Sequence, residues 1–314
     1  MALDERTTAP LPAGVWPTMI TPFRDDGQID WQGVDALVEW YLQCGVAGIF
    51  AVCLSSEMNA LTPEERLALA AHVVARAAGR APVVASGTFG GPIAEQAAFV
   101  ARMADAGVRA VVILANQLAA EGEPDHVWQA RATELLELTG VTPLGLYECP
   151  APYARYLTPD LLAWAAQTGR ILFLKDTCSR LDPIRAKIAA VAGTPLRFYN
   201  ANAASLLPSL QAGGHGFSGI AANCYPQLYA WMVAHWRERP ALAERLQWLL
   251  GVGEAVVRHK YPTSAKAYLA LAGVPIGERC RVPQVPLDEE DRTILAQLRA
   301  IVREAGAGLG LPAA

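Results

Sequence analysis

Lys175 closes a short apolar run, Ile171-Leu172-Phe173-Leu174, bounded by Gly169-Arg170 before it and Asp176-Thr177 after it. Such a run without polar alternation describes a strand buried on both faces, the kind a parallel sheet contains. The C-terminal end of such a strand is where α/β folds carry their chemistry. An ammonium placed there has poor access to water, so its pKa is expected to fall from about 10.4. A lysine brought to about 7–8 attacks a carbonyl and forms a Schiff base. A strand-end lysine can also snorkel to the surface or pair with a carboxylate. The residues that gather around Lys175 decide between these uses.

What gathers there depends on the elements. Short β-rich runs alternate with helical stretches, and candidate strands cover Val15–Ile20, Gly48–Cys53, Pro82–Ser86, Ala110–Leu114, Pro143–Tyr147, Ile171–Leu174, Leu196–Tyr199 and His215–Ser218. Helical periodicity fills the gaps, for example Trp31 to Leu42, Pro63 to Ala78 and Ile93 to Ala106. Thr62-Pro63-Glu64-Glu65 offers an N-cap, a proline at the first helical position and a Glu three residues after the cap. Thr158-Pro159-Asp160 and Leu181-Asp182-Pro183 repeat the cap-then-proline pattern. Gly45, Gly79, Gly107, Gly140 and Gly193 stand where helices should stop.

Eight β-α units with no second topology predict an α/β fold, a closed (β/α)8 TIM barrel with a small helical C-terminal domain. An open doubly wound sheet fits less well, because no Gly-x-Gly-x-x-Gly follows the first strand. The expected division is a flexible lead-in over residues 1–12, the barrel over 13–223, and a barrel-closing helix with a helical extension over 224–314. Helices are expected at Pro226–Trp236, Ala241–Arg258, Thr263–Ala272 and Asp288–Ala305. Trp231, Trp236 and Trp248 give that extension apolar surface to bury against the barrel or another subunit.

In a barrel the residues after each strand converge on one mouth. They are Thr21; Leu54-Ser55-Ser56-Glu57; Tyr147-Glu148; Lys175-Asp176; Asn200 and Asn202; and Ser218-Gly219. Lys175 supplies an electrophile trap, the Tyr147 phenol a proton shuttle, and Ser55 and Ser56 with their N–H groups a carboxylate site. Each has a plainer use: Tyr147 as a core tyrosine, Ser55-Ser56 as a turn cap, Glu57 as a tie to backbone groups beneath the site. Gly213-Gly214-His215-Gly216 and Gly219 read as close-packing glycines rather than a phosphate nest, since no Arg or Lys accompanies them. Cys53, Cys149 and Cys178 read as small buried hydrophobes.

Composition narrows the function from the other side. The 314 residues are 53% hydrophobic and 18% charged, enough for a large core. A formal charge of −4 gives no electrostatic reason to bind nucleic acid or anionic membrane, and no apolar run is long enough for a span. Residues Met1 to Pro12 lack the apolar core of a signal peptide. Six dilute cysteines without Cys-x-x-Cys spacing suit a reducing cytoplasm. Five histidines without ligand spacing give no metal site, and no cofactor is called for.

From about Gly14 to Val274 the chain resembles the dihydrodipicolinate synthase / N-acetylneuraminate lyase family. The resemblance is carried by Thr18-Met19-Ile20-Thr21-Pro22-Phe23 with Asp26-Gly27-Gln28-Ile29-Asp30, and by Ser55-Ser56-Glu57 with Leu61-Thr62-Pro63-Glu64-Glu65-Arg66. It continues in Leu174-Lys175-Asp176-Thr177, in Tyr147 on the preceding strand, and in Gly214-His215-Gly216-Phe217-Ser218-Gly219-Ile220-Ala221-Ala222-Asn223. It implies a barrel with a C-terminal helical domain, a homo-oligomer (dimer or tetramer), and pyruvate or another 2-oxo acid held as an imine on Lys175. Tyr147 would be the catalytic tyrosine, and Ser55, Ser56, Asn200 and Ser218 would bind substrate, with Asn202 and Glu148 beside them.

The departures bear on substrate. The family's Gly-Thr-Thr-Gly-Glu is here Cys53-Leu54-Ser55-Ser56-Glu57, so Leu54 replaces a relay hydroxyl. The Pro-Tyr-Tyr after strand four becomes Ala115-Asn116-Gln117, which removes the tyrosine lent by a neighbouring subunit. Pro152 stands where the synthases carry an Arg for the aldehyde's carboxylate, with Arg155 nearby as a candidate replacement. The expected function is therefore an aldolase-type Schiff-base lyase other than a true dihydrodipicolinate synthase. The alternatives are a sugar-acid dehydratase using the same enamine, or a catalytically silent 2-oxo-acid-binding protein. Retention of both Lys175 and Tyr147 counts against the last.

Overall fold

Eight parallel strands run through the chain in the order β1-β8-β7-β6-β5-β4-β3-β2. The structure, a computed structural model, describes residues 9–311. The strands are β1 (Gly14–Val15), β2 (Ile49–Val52), β3 (Val83–Ser86), β4 (Ala110–Leu114), β5 (Leu144–Tyr147), β6 (Ile171–Asp176), β7 (Arg197–Asn200) and β8 (Gly216–Phe217). A bridge between Thr18 and Phe50 closes the ring, with Phe50 N–H donating to Pro17 O and Met19 N–H to Phe50 O, each at 3.0 Å. Helices return over the outside: α1 (Trp31–Gln43), α2 (Pro63–Ala77), α3 (Ile93–Asp105), α4 (Asp125–Leu138), α5 (Pro159–Gln167), α6 (Leu181–Ala190), α7 (Leu206–Gln211) and α8 (Pro226–His235). The fold is a (β/α)8 barrel, with three further helices, α9 (Pro240–Arg258), α10 (Thr263–Leu271) and α11 (Glu289–Gly308), forming the C-terminal helical region.

Local chemistry explains most boundaries. Thr62 Oγ1 accepts from Glu65 N at 3.1 Å while Glu65 Oε2 accepts from Thr62 N at 2.9 Å, a reciprocal cap that starts α2. Thr158 Oγ1 accepts from Leu161 N at 3.4 Å and caps α5, without the reciprocal bond. The third expected cap differs. Helix α6 begins at Leu181 after Arg180, and Asp182 lies inside its first turn with no side-chain cap formed. Gly45, Gly79, Gly107, Gly140 and Gly193 all take positive φ just beyond their helices.

Strand β1 is shorter than its apolar run suggests, because its pairing passes from β8, which holds Gly14 and Val15, to β2, where Thr18 makes a single bridge to Phe50. Strand β6 is longer. Asp176 still pairs with Asn200, which places Lys175 inside the strand rather than after it. Of the expected lead-in, residues 1–8 lie outside the described residues, whereas residues 9–12 are seated on the barrel. Leu11 is buried, Ala9 O accepts from Arg109 at 2.7 Å and Pro12 O accepts from Tyr199 OH at 2.8 Å.

Aromatic rings fill the barrel below the mouth. Phe173 packs against Trp16 and Phe50 at centroid distances of 5.5 and 5.7 Å and stacks on Tyr199 at 4.8 Å. Such pairs contribute about 0.5–1.5 kcal/mol each beyond their buried area. They also form a dry, low-polarity floor. The glycines near β8 pack closely: a Cβ on Gly216 would lie 1.8 Å from Gly14 O, and one on Gly219 2.3 Å from the Phe217 ring.

Candidate active site

Strand register sets the central pair. Tyr147 at the end of β5 lies opposite Lys175 in β6, so both side chains leave the same level of the barrel wall. The Lys175 nitrogen sits 4.4 Å from the centroid of the Tyr147 ring and 5.7 Å from that of Phe50. Burial lowers the pKa of Lys175 to about 8, against a smaller opposing influence of Cys53, Cys149 and Glu254. At pH 7 roughly a tenth of such an amine is neutral, several hundredfold more than for an ordinary lysine. Burial pushes the Tyr147 phenol well above its usual range. It is therefore a neutral hydroxyl, able to pass a proton but not standing as a phenolate.

Above the pair opens a cavity of about 580 Å³. Its walls include Leu54, Ser55 and Glu57 from the loop after β2; Pro150 and Tyr156 from the loop after β5; Thr177 and Ser179 after β6; Ala201 after β7; and Gly219 and Ile220 after β8. Helix α9 adds Glu254 and Arg258, and the chain beyond it adds Tyr261, Pro262, Val282 and Gln284.

Ser55 is at the cavity wall, its Oγ donating to Thr18 Oγ1 at 3.1 Å. Behind it, Asn223 holds the mouth together: Nδ2 donates to Thr18 O at 2.9 Å and to Tyr261 OH at 3.2 Å, and Oδ1 accepts from Tyr41 OH. Three other expected binding residues, Ser56, Asn200 and Ser218, are not part of the cavity lining, and neither is Asn202 beside them. Ser56 Oγ donates to Cys53 O at 2.9 Å and accepts from Cys53 N at 2.6 Å. Asn200 bonds Ser205 Oγ at 2.9 Å and Asn202 N at 2.8 Å, while Asn202 Oδ1 caps Ser205 N. Ser218 Oγ donates to Trp16 O at 2.9 Å. Short polar side chains at strand ends satisfy nearby backbone groups first, and these three brace the mouth rather than line it.

Glu148 also lies beneath the cavity instead of in it. Its carboxyl and that of Asp176 both hold the Lys187 ammonium, Asp176 Oδ2 at 2.6 Å. Glu148 further accepts from Leu157 N at 2.8 Å and Thr177 N at 3.3 Å. Burial, with Asp176 beside it, raises the Glu148 carboxyl. Burial works against the Lys187 charge too, but the two carboxyls outweigh it and hold Lys187 above its usual value. This buried trio anchors the residues that follow Tyr147 and Lys175, a positioning device that spacing alone did not reveal. Glu57, in left-handed backbone with φ 57°, accepts from Lys266 at 2.7 Å, Arg281 N at 2.6 Å and Val282 N at 2.9 Å. It thereby fastens the C-terminal region over the barrel.

The sequence departures have visible consequences. Asn116 Nδ2 donates to the carbonyls of Cys149, Ala151 and Tyr153 at 3.0, 2.8 and 2.8 Å, so it organises the loop after β5. Arg155 is buried away from the cavity, bonded to Glu123 O at 2.9 Å and Asp125 at 3.0 Å. It does not replace the arginine missing at Pro152. Cys53, Cys149 and Cys178 are buried free thiols.

Residues 11–304 match the model of the Dihydrodipicolinate synthetase family. The chain belongs to this family. A 4-hydroxy-tetrahydrodipicolinate synthase of Gluconacetobacter diazotrophicus is 31% identical over 300 residues, covering 93% of this chain and 95% of that protein. A putative 2-dehydro-3-deoxy-D-gluconate aldolase, YagE of Escherichia coli, is 27% identical over 93% of this chain and 96% of its own. The crystal structure of YagE in complex with pyruvate superposes with a TM-score of 0.83 at 25% identity, covering 92% of this chain and 98% of that one. With its family, this chain is an aldolase-type lyase.

The pKa of Lys175 makes the first expectation. Only the neutral amine attacks a ketone, so below pH 8 the initial rate of cyanoborohydride trapping of pyruvate should rise close to tenfold per pH unit. It should level off above pH 8. A limb near 10 instead would show a lysine that is solvated and unactivated.

Proposed function

We propose that this enzyme takes pyruvate, or another 2-oxo acid, as an imine on Lys175 and makes or breaks a carbon–carbon bond at the carbon adjacent to the imine. The observation that carries this reading is a desolvated lysine in strand register with a neutral tyrosine on a cavity floor. Lys175 Nζ attacks the ketone carbon, the carbinolamine oxygen takes a proton and leaves as water, and an iminium remains. Cleavage of the bond between the carbon next to the iminium and the carbinol carbon beyond it sends its electron pair toward the iminium, giving an enamine, while the carbinol hydroxyl loses its proton as it becomes a carbonyl. Tyr147 passes protons to and from these oxygens. Ser55 holds the carboxylate at the wall. The pyruvate bound by YagE and that relative's aldolase name support a 2-oxo sugar acid over other partners.

The test is a turnover screen of 2-dehydro-3-deoxy sugar acids with two readouts. Release of pyruvate with an aldehyde supports the aldolase. Loss of water without pyruvate would replace it by the dehydratase, and silence with every sugar acid despite trapping would leave a binder.

The same site should make a poor dihydrodipicolinate synthase. With Pro152 in place of the family's arginine and Arg155 engaged elsewhere, a charge-assisted contact worth about 2–4 kcal/mol is missing. Condensation of pyruvate with aspartate semialdehyde should be roughly 30- to 1000-fold less efficient than in a true synthase. Rescue of a lysine-pathway auxotroph at ordinary expression would contradict this.

We further infer a cytoplasmic homo-oligomer, dimer or tetramer, with a small-molecule substrate and neither nucleic-acid nor membrane partners. Six free thiols suit that compartment, and among the described residues no helix is long and apolar enough to cross a membrane. Trp231 is buried, but Trp248 and Val252, one turn apart on α9, are each 68% exposed and give a second copy apolar surface to cover.

A further inference from the structure

A cavity of about 580 Å³ suits a ligand much longer than pyruvate, so something beyond Lys175 must read the rest of the substrate. Four charged side chains line it: Lys175, Glu57, Glu254 and Arg258. Lys175 is the nucleophile, buried on the floor. Glu57 is fully engaged by Lys266, Arg281 N and Val282 N. Glu254, also buried, accepts from Ala203 N on one oxygen and from Arg258 Nη2 on the other.

That leaves the Arg258 guanidinium. It sits at the rim on the last turn of α9, its side chain 61% exposed, and Glu254 one turn back holds it by Nη2 alone. A guanidinium carries five N–H donors in a planar fork. Among the described residues its other donors have no protein partner, and Arg258 is part of the cavity lining. Glu254 offsets the guanidinium charge in part but engages only Nη2, and both its own oxygens already have donors. It fixes one arm of the fork and leaves the other for a carboxylate, the geometry at which arginine excels.

We propose that Arg258 is a specificity residue that binds a carboxylate at the distal end of the 2-oxo acid substrate, while Lys175 holds the ketone end. Glu254 acts on the substrate through Arg258, as its positioning residue. The proposal rests on the imine reading for the placement of the ketone, and it narrows the 2-oxo sugar acids of that reading to those that end in a second carboxylate. It also gives the C-terminal helical region, rather than a barrel strand, the choice of substrate.

The probes are 2-oxoadipate and 2-oxohexanoate, equal in chain length and differing in the distal carboxylate, with pyruvate as the reference that has no distal group. In borohydride trapping, the wild-type protein should half-saturate with 2-oxoadipate at about 10- to 100-fold lower concentration than with 2-oxohexanoate, the span of a charge-assisted hydrogen bond. Arg258→Ala should bring that ratio close to one, its loss for 2-oxoadipate exceeding any change for pyruvate by the same factor. Arg258→Lys should restore part of it. Equal handling of the two long acids by the wild type, or an unchanged preference in Arg258→Ala, would overturn the proposal. Titrating the same three acids by thermal shift reads Arg258 without requiring the covalent step. If pyruvate is never trapped, the imine fails; the 2-oxoadipate preference in the thermal titration still decides for or against Arg258.

Discussion

Lys175→Ala should lose trapping of every 2-oxo acid and all turnover, and should do so in a folded protein. Among the described residues no carboxylate forms an ion pair with this buried side chain, which lies over the rings of Tyr147 and Phe50, and burial depresses its pKa to about 8. An ammonium held that way contributes little to stability, and replacing a buried cation by an apolar group is often neutral or favourable. The thermal midpoint of Lys175→Ala should therefore stay at or above that of the wild type while the chemistry disappears. Lys175→Arg should do no better, because an always-charged guanidinium cannot form the imine. Residual turnover above about one part in a thousand in either variant would move the nucleophile elsewhere. A large fall in the midpoint would give Lys175 a structural role instead.

Tyr147→Phe separates bond making from proton movement. The ring keeps its place opposite Lys175 and its edge-on packing with Phe50 at 5.7 Å, so the variant should fold and should still trap pyruvate. What it loses is a neutral hydroxyl on the cavity wall. Turnover on the true substrate should fall by about 10²–10⁴, the usual contribution of a positioned general acid–base. Unchanged turnover would reduce Tyr147 to a core tyrosine whose hydroxyl happens to face the cavity.

The sequence carried the pairing of these two residues because it follows from strand periodicity. An apolar run ending on Lys175 and a second ending on Tyr147, adjacent in order, can only meet at one level of a parallel barrel. Helix stops were equally readable, since a glycine with positive φ has a local cause. Side-chain direction after a strand has no such local cause. Ser55 faces the cavity while Ser56, Asn200 and Ser218, chosen by the same rule, turn to Cys53, Ser205 and Trp16. Which neighbour offers an unsatisfied backbone group is known only once the loops are folded.

Longer-range pieces were hidden for a different reason. Glu254 and Arg258 read along the chain as an ordinary i,i+4 charge pair on a solvated helix face. Their arrival at the site depends on how α9 packs against the loop after β7, where Ala203 N reaches Glu254. Lys187 likewise reads as a basic residue near the end of α6, and only the tertiary fold puts it between Glu148 and Asp176.

The most direct measurement of the central claim is on the unmodified protein. Incubation with pyruvate and borohydride should add a single reduced pyruvyl mass per chain, and peptide mapping should place it on Lys175. The same mass on Lys187, Lys260 or Lys266, or no added mass with any 2-oxo acid tried, would contradict the imine at Lys175.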